Sequence, residues 1–408
     1  MSKNSYIITG AFLVAIGGVS VGSLLAKDRE FSPNENRYLS GVPTCSIDRI
    51  FSGDFQEDLE NYLNDQILGR DQWITAKTAL QKTCGDTDIG GAYVGKDGYD
   101  FEKILPEDID DKLVNRNIQS VQQFLEKSTA QVKKEHMSFL LVPTSGLVMK
   151  EYLPKNAILF DQEAYMDRVK DALKEYRFMD GRKIFQSEMD SKTKEASKTE
   201  ADAKAKEASK TEADSKTKAD KALYYRTDHH WTTYGAFVAF EEWCKQTGHS
   251  FEGADAYETE TVTKQFRGSL YSKILDYDSA YDSIVRMTKK QDATDYKVIA
   301  DGKDIGGFYQ EDKLQEKDKY AYFFGGNYGE VAIEGTQEGK GTLLVIKDSF
   351  ANAFVPFLAD SYDNIYMVDL RYFNEDMQAY LKEKNITDIL VLYNVSNFVT
   401  DRNLYKLK

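Results

Sequence analysis

Thr342-Leu343-Leu344-Val345-Ile346-Lys347-Asp348-Ser349-Phe350 decides how this chain folds. Leu343 to Ile346 form a continuous apolar run, as expected of a strand buried on both faces. Lys347 to Phe350 read as the turn that ends it. Ala351 to Ala359 follow as a helix, Ile365-Tyr366-Met367-Val368 as a second strand, Glu375 to Lys384 as a helix, and Asp388 to Leu392 as a third strand. Strand, helix, strand, helix, strand implies parallel pairing through right-handed crossovers. In such sheets, sites collect beyond the carboxyl ends of the strands. Ser349 stands at such an end and at the start of a helix, where free backbone N–H groups and the helix dipole favour developing negative charge. The plain alternative is that Ser349 or Asp348 merely caps the helix.

Working upstream, Met137 to Val142 is another short apolar strand, ending at Pro143-Thr144-Ser145. Helices are predicted over 107–134 and 163–177. Phe55, Leu59, Tyr62, Leu63 and Ile67 recur at helical spacing. After Gly69-Arg70-Asp71, a second helix carries Trp73, Ile74, Lys77 and Leu80. Tyr93 to Tyr99 reads as a hairpin, because Asp97-Gly98 favours a tight turn. The alternation of buried strands and helices places the chain in the α/β class with a mostly parallel sheet.

Residues 187–221 are of different composition. Lys194 to Asp202 recurs as Lys206 to Asp214, a twelve-residue repeat of Ala, Lys, Glu, Ser, Thr and Asp without a core-forming residue. Such a stretch cannot bury enough surface to offset its ordering entropy. It reads as a charged, solvated insertion, with a functional tether as the alternative.

The 408 residues suffice for one large or two modest domains. A net charge of −14 argues against nucleic acid as a partner and gives no attraction to anionic surfaces. The apolar run from Tyr6 to Ala26 is long enough to cross a bilayer. Residues 1–27 therefore read as an uncleaved signal anchor with the rest of the chain outside the cell, or as a signal peptide cut near Val21 and Ser23. Residues 28–50 read as a tether and 51–408 as the domain proper. The three cysteines, Cys45, Cys84 and Cys244, leave one thiol over from any disulfide. Cys45 and Cys84 could pair outside the cell, or all three could be free thiols. Cys244 falls on the apolar face of a helix.

Only four histidines occur, and two are adjacent in Thr227-Asp228-His229-His230-Trp231-Thr232. In an extended stretch, side chains two apart share a face, so Asp228 can orient His230. His230 is then a candidate general base for Ser349, with Thr232 capping the next helix and His229 pointing away. Two other readings stay open. Asp and His are good metal ligands, yet His136 and His249 lie in no convincing ligand motif. A buried polar network without chemistry is the third reading.

This motif, with Lys347-Asp348-Ser349-Phe350 downstream, resembles the DHHW family of Gram-positive cell-surface proteins. Those are similar to the SGNH-hydrolase-like alginate O-acetylation proteins. Further similar stretches are Phe31 to Arg37, Gly91 to Phe101, Phe139 to Pro154, Phe266 to Tyr271, Lys317 to Asn327 and Asp369 to Phe373. The resemblance implies an SGNH-like three-layer sandwich in which the Asp-x-His pair precedes the serine. It implies Ser349 as acyl-accepting nucleophile, His230 as base and Asp228 as its orienter, with no metal and no cofactor. The implied activity is O-acyl transfer, acetyl above all, or ester hydrolysis on a cell-envelope polysaccharide. A membrane-bound O-acyltransferase is the implied donor and partner. A glycan-binding scaffold without catalysis is the alternative. Lys347 stands where SGNH proteins usually have glycine. Candidates for the oxyanion donor are Asn352, Asn394, Asn397 and the Ser349 N–H; candidates for substrate contact are Arg371 and Tyr372.

Overall fold

The computed structural model describes residues 3–35, 37–190, 221–290, 296–335 and 339–408. The charged repeat within 187–221 therefore lies almost wholly outside the described residues. The chain divides into two units, residues 1–92 with 271–279, and residues 93–270 with 280–408.

The first unit begins with α1 (Lys3–Leu25). Its 20 residues from Tyr6 to Leu25 have a mean hydropathy of 2.0 and bury none of that surface within the protein. This length and composition suit a membrane anchor or a signal sequence. Three more helices follow, α2 (Ile47–Ser52), α3 (Asp54–Gln66) and α4 (Arg70–Thr83). Residues 28–50 are held rather than loose. Phe31–Ser32 pairs with Arg37–Tyr38, and Arg37 forks onto the buried Asp65 of α3. Cys45 and Cys84 are exposed free thiols.

The second unit opens with the expected hairpin. Asp97 and Gly98 both take positive φ, 55° and 77°, which closes a tight turn between short strands. Then come α5 (Asp111–Ser128), β1 (Met137–Val142), α6 (Gln162–Ala172), β2 (Arg177–Asp180) and α7 (Thr233–Thr247). Two edge strands, β3 (Tyr296–Ala300) and β4 (Lys303–Asp304), precede β5 (Glu330–Gly335) and β6 (Thr342–Lys347). The chain ends through β7 (Asn364–Val368), α8 (Met377–Glu383), β8 (Asp388–Asn394) and α9 (Val395–Thr400). α5 is shorter than the periodicity suggested. Asp110 caps it by accepting from the Lys112 N–H, and a turn ends it after Ser128.

Eight strands form one sheet in the order β4-β3-β5-β7-β6-β8-β1-β2. The run from β7 to β2 is parallel, as the crossover pattern required. β5 and β3 add an antiparallel edge. Strand alternation divides the core. Leu140, Val142, Leu343, Val345, Leu390 and Leu392 join one cluster with α7, including the buried Cys244. Phe139, Leu141, Leu344, Ile346, Ile389 and Val391 join another with α5, α6 and α8. Each such side chain contributes about 1.5–3 kcal/mol by leaving water.

β6 is the pivot. The chain leaves it for β7 on one side and returns through α8 to β8 on the other. In α/β sheets such a reversal is where sites form, and Ser349 lies just past the carboxyl end of β6. The helix expected over Ala351 to Ala359 is a four-residue α-turn, Ala351–Phe354, continued as a 3₁₀ segment to Ser361. Pro356 cannot donate to the fourth preceding carbonyl, so α-geometry stops there. A single turn carries little macrodipole, so the expected help from a helix dipole at Ser349 is largely absent.

Candidate active site

The Asp-His-His-Trp segment is a tight loop, not the extended strand its spacing suggested. Tyr224 and Trp231 bridge across its base, and Thr232 donates its N–H to the Leu223 carbonyl at 3.0 Å. Trp231 is fully buried and donates Nε1–H to the Phe350 carbonyl at 2.9 Å, which ties this loop to the β6 turn. Thr232 caps α7 by accepting the Gly235 N–H, as expected. On the other side, Asp282 accepts the N–H groups of Arg226 and Thr227 and the Thr227 hydroxyl.

Within this loop Asp228 and His230 meet by a local turn. Asp228 Oδ1 accepts the backbone N–H of His230 at 2.9 Å and faces its Nδ1 at 2.6 Å. Side-chain acceptance two residues on is an Asx turn, which aspartate favours. Asp228 Oδ2 accepts the Ser269 N–H at 2.7 Å. The far nitrogen of the ring, Nε2, lies 2.7 Å from Ser349 Oγ. With Asp228 holding the proton on Nδ1, Nε2 is free to accept from the serine hydroxyl. The structure thus brings Ser349, His230 and Asp228 into one hydrogen-bonded line.

The surroundings set the charges. Burial, together with the neighbouring His229, lowers the His230 pKa to about 4 despite the attraction of Asp228. The ring is therefore neutral at pH 7 and able to take a proton. Burial opposes ionisation of Asp228, but the two imidazoles and the Ser269 N–H outweigh it and hold the carboxylate far below its ordinary range. Tyr320 stacks flat on His230, with centroids 3.7 Å apart and planes 9° apart, and its hydroxyl donates to the Ser349 carbonyl. Phe350 packs on the same ring at 5.1 Å.

Asp348 organises the serine turn. Its carboxylate accepts the N–H groups of Phe350 and Asn394 and the Asn397 amide. Lys347 is fully buried. Its Nζ donates to Asn352 Oδ1 at 2.8 Å and to Asn327 Oδ1 at 3.2 Å, and stands 3.9 Å from Asp369. Burial lowers its pKa to about 8, against the pull of Asp369.

The other sequence candidates separate here. The Asn394 side chain caps α9 by accepting from Ser396, and its amide donates to the Pro143 carbonyl. The Asn397 amide is engaged by Asp348. Asn352 keeps its amide N–H only in long contacts of 3.3–3.4 Å with Asn327 and Gly326. The Arg371 guanidinium folds back onto Asp369, and Tyr372 is exposed. His229 faces Ser269 Oγ at 2.6 Å.

Asp228, His229 and His230 offer atoms within 4.8 Å of one another, close enough for a metal ion. Both Asp228 oxygens, both His230 nitrogens and His229 Nδ1 already face hydrogen-bond partners, and the partner of His230 Nε2 is the Ser349 hydroxyl. That pattern fits a proton relay better than a ligand set. His136 and His249 line a separate cavity of about 240 Å³ at the opposite, amino end of β1, β6 and β8.

The resemblance marked the stretches Phe266 to Tyr271 and Lys317 to Asn327 without giving Gly268, Ser269 or Tyr320 a role, and Asp282 lay outside every marked stretch. Among 26 tyrosines, nothing local distinguishes Tyr320. Gly268 carried a weak signal as a lone glycine after a strand.

Fold and site together define an α/β protein with a serine, an imidazole and a carboxylate aligned at the carboxyl end of a parallel sheet. Residues 212–368 match the family model described as DHHW protein. A DHHW family protein from Eubacterium siraeum has the same fold, at 22% identity and a TM-score of 0.60, covering 78% of this chain and 95% of that one. PatB1 of Bacillus cereus, solved with a sulfonyl adduct, is similar at 20% identity and 0.57, covering 77% and 97%. The O-acetyltransferase domain of Pseudomonas putida AlgJ follows at 13% identity and 0.43, covering 76% and 93%. No curated protein sequence matches the chain.

Proposed function

We propose that this protein is a membrane-anchored, extracellular serine O-acyltransferase or esterase of the cell envelope, built as an SGNH-like three-layer sandwich. The observation that carries the reading is the line from Ser349 Oγ through His230 to Asp228 at the pivot of the sheet. Ser349 Oγ attacks the donor's acyl carbonyl as its proton passes to His230 Nε2. The tetrahedral oxyanion is met by the Ser349 N–H and the Asn352 amide. Collapse expels the donor's leaving group, which takes the proton from His230, and leaves an acyl ester on Ser349. A hydroxyl of an envelope polysaccharide, or water, then gives its proton to His230 Nε2 and attacks that ester. The acyl group, acetyl by resemblance, moves to the acceptor and Ser349 regains its proton. A membrane-bound O-acyltransferase is the proposed donor. PatB1 as a sulfonyl adduct is compatible with this reading, since an activated hydroxyl captures such electrophiles.

The test is incubation of the full chain, in detergent, with a chromogenic acetyl ester. The parent should release product and gain one acetyl group mapped to Ser349, while Ser349→Ala and His230→Ala should lose at least ~10²-fold in rate. Equal rates in parent and Ser349→Ala remove the proposal. A second reading, a glycan-binding scaffold without turnover, draws on the engaged amides of Asn394 and Asn397. It requires glycan binding that survives Ser349→Ala and no adduct even when the membrane partner is supplied.

A further inference from the structure

The first unit exposes apolar side chains where a soluble helical hairpin would not. Leu63, Ile67, Leu68, Trp73 and Leu80 of α3, α4 and their connecting turn are between 36% and 64% exposed. The two helices bury almost nothing apolar of their own; their buried residues are Asp65 and Thr78. On α4, Trp73 and Leu80 lie two turns apart on one face, and on α3 Leu63 precedes Ile67 by one turn.

This hairpin is fixed to the end of α1. The Leu68 N–H donates to Ser23 Oγ at 2.8 Å. A Cβ on Gly22 would meet the end of the Leu68 side chain at 2.8 Å, so that side chain lies directly against the Gly22 backbone. The chain leaving α1 is pinned to α3 as well. Arg29 and Gln66 exchange two hydrogen bonds, and Tyr62 donates to Asp28. Trp73 is drawn to the same point, donating Nε1–H to the Leu68 carbonyl at 3.1 Å.

These contacts fix a height. A 20-residue apolar helix spans roughly 30 Å, the thickness of the hydrocarbon core. Gly22 and Ser23 lie in its last turn, at the boundary between acyl chains and headgroups. Whatever is joined to them sits at that level. Tryptophan with an apolar ring and a polar N–H suits this layer, and leucine side chains suit the layer just beneath it. We propose that the α3–α4 hairpin is a second, interfacial membrane contact, with Leu63, Leu68 and Trp73 immersed in the outer edge of the leaflet that α1 crosses. The hairpin carries Asp54, Glu57, Asp58 and Glu60, so the occupant is the apolar edge of a lipid leaflet and not an anionic headgroup. The inference rests on the reading of α1 as an uncleaved anchor.

The test places the full chain in phosphatidylcholine vesicles whose lipids carry bromine either high or low on the acyl chain. Tryptophan emission is compared between the parent and Trp73→Phe, with retention checked by alkaline carbonate. Trp231 and Trp243 are at most 2% exposed and stay shielded from the quencher. The expected result is that shallow bromine removes the share of emission that Trp73→Phe lacks, and deep bromine removes less. A retained chain whose Trp73 emission is untouched overturns this inference and leaves the anchor standing. A chain stripped by carbonate yet quenched by shallow bromine supports the interfacial contact and overturns the anchor. Stripping without quenching overturns both.

Discussion

His230 has two demands on it: to be uncharged before the reaction and to bear a charge during it. Burial under Tyr320 and Phe350, and the nearby His229, meet the first by lowering its pKa to about 4. Asp228 meets the second, because its carboxylate stays ionised and lies 2.6 Å from Nδ1. The expected kcat/KM profile for an acetyl ester is therefore flat from neutral pH downward, with its acid limb near pH 4 instead of at the usual histidine value of about 6.5. A limb at 6.5 or above would show that water reaches the ring. The same shift acts on stability. Between about 6.5 and about 4 the unfolded chain binds a proton that the folded one refuses, so this group's contribution falls as pH falls through that window. Urea midpoints measured across it for the parent and His230→Gln give the check, since the glutamine variant should lack that slope.

At the scale of elements, the site depends on close backbone approach. The strand-following segment at Gly268 passes so near Asp228 that an added Cβ would lie 2.2 Å from Oδ2. That closeness lets the Ser269 N–H reach the carboxylate. Gly268→Ala must displace either the segment or Asp228, at about 1–3 kcal/mol of strain. The expected outcome is a lower melting temperature together with at least ~10-fold loss of esterase rate, since a small misplacement of the relay is costly. Parent-like values for both would show room that the packing denies. The same scale explains where element predictions moved. The helix over Ala351 to Ala359 shortened because Pro356 ends its hydrogen-bond ladder. The Asp228–His230 pairing held, but through a turn in place of an extended strand.

Across the whole molecule, the reversal of strand order around β6 gathers the ends of β1, β6, β7 and β8. Pro143, Ser349, Asp369 and Asn394 stand just past or at those ends; Asn394 donates to the Pro143 carbonyl and to Asp348 beside Ser349, and Lys347 of the same turn stands 3.9 Å from Asp369. The twelve-residue repeat contributes no apolar surface to any of this by composition. Deleting one copy, residues 206–217, should change the melting temperature by under ~1 °C and leave ester turnover at parent level. A fall of several degrees in calorimetry would show that the repeat packs on the domain after all.

The sequence by itself determined the parallel core and the order of its parts. Continuous apolar runs such as Leu343–Ile346 can only be satisfied by burial on both faces, and the helices between them leave parallel crossovers as the solution. It also placed Ser349 at a strand end and Asp228 two residues from His230, because both facts are local. Only the tertiary structure decided what those residues meet. Tyr320 on the imidazole, Ser269 on the carboxylate and Lys347 on Asn352 are contacts between chain segments 5 to 90 residues apart, or are set by how such segments pack. It also turned the Asn394 amide N–H to Pro143 and its side-chain oxygen to Ser396. Periodicity records which face of an element is apolar. It carries no record of which distant backbone will arrive there, and that arrival fixes the hydrogen bonds and the charges of the site.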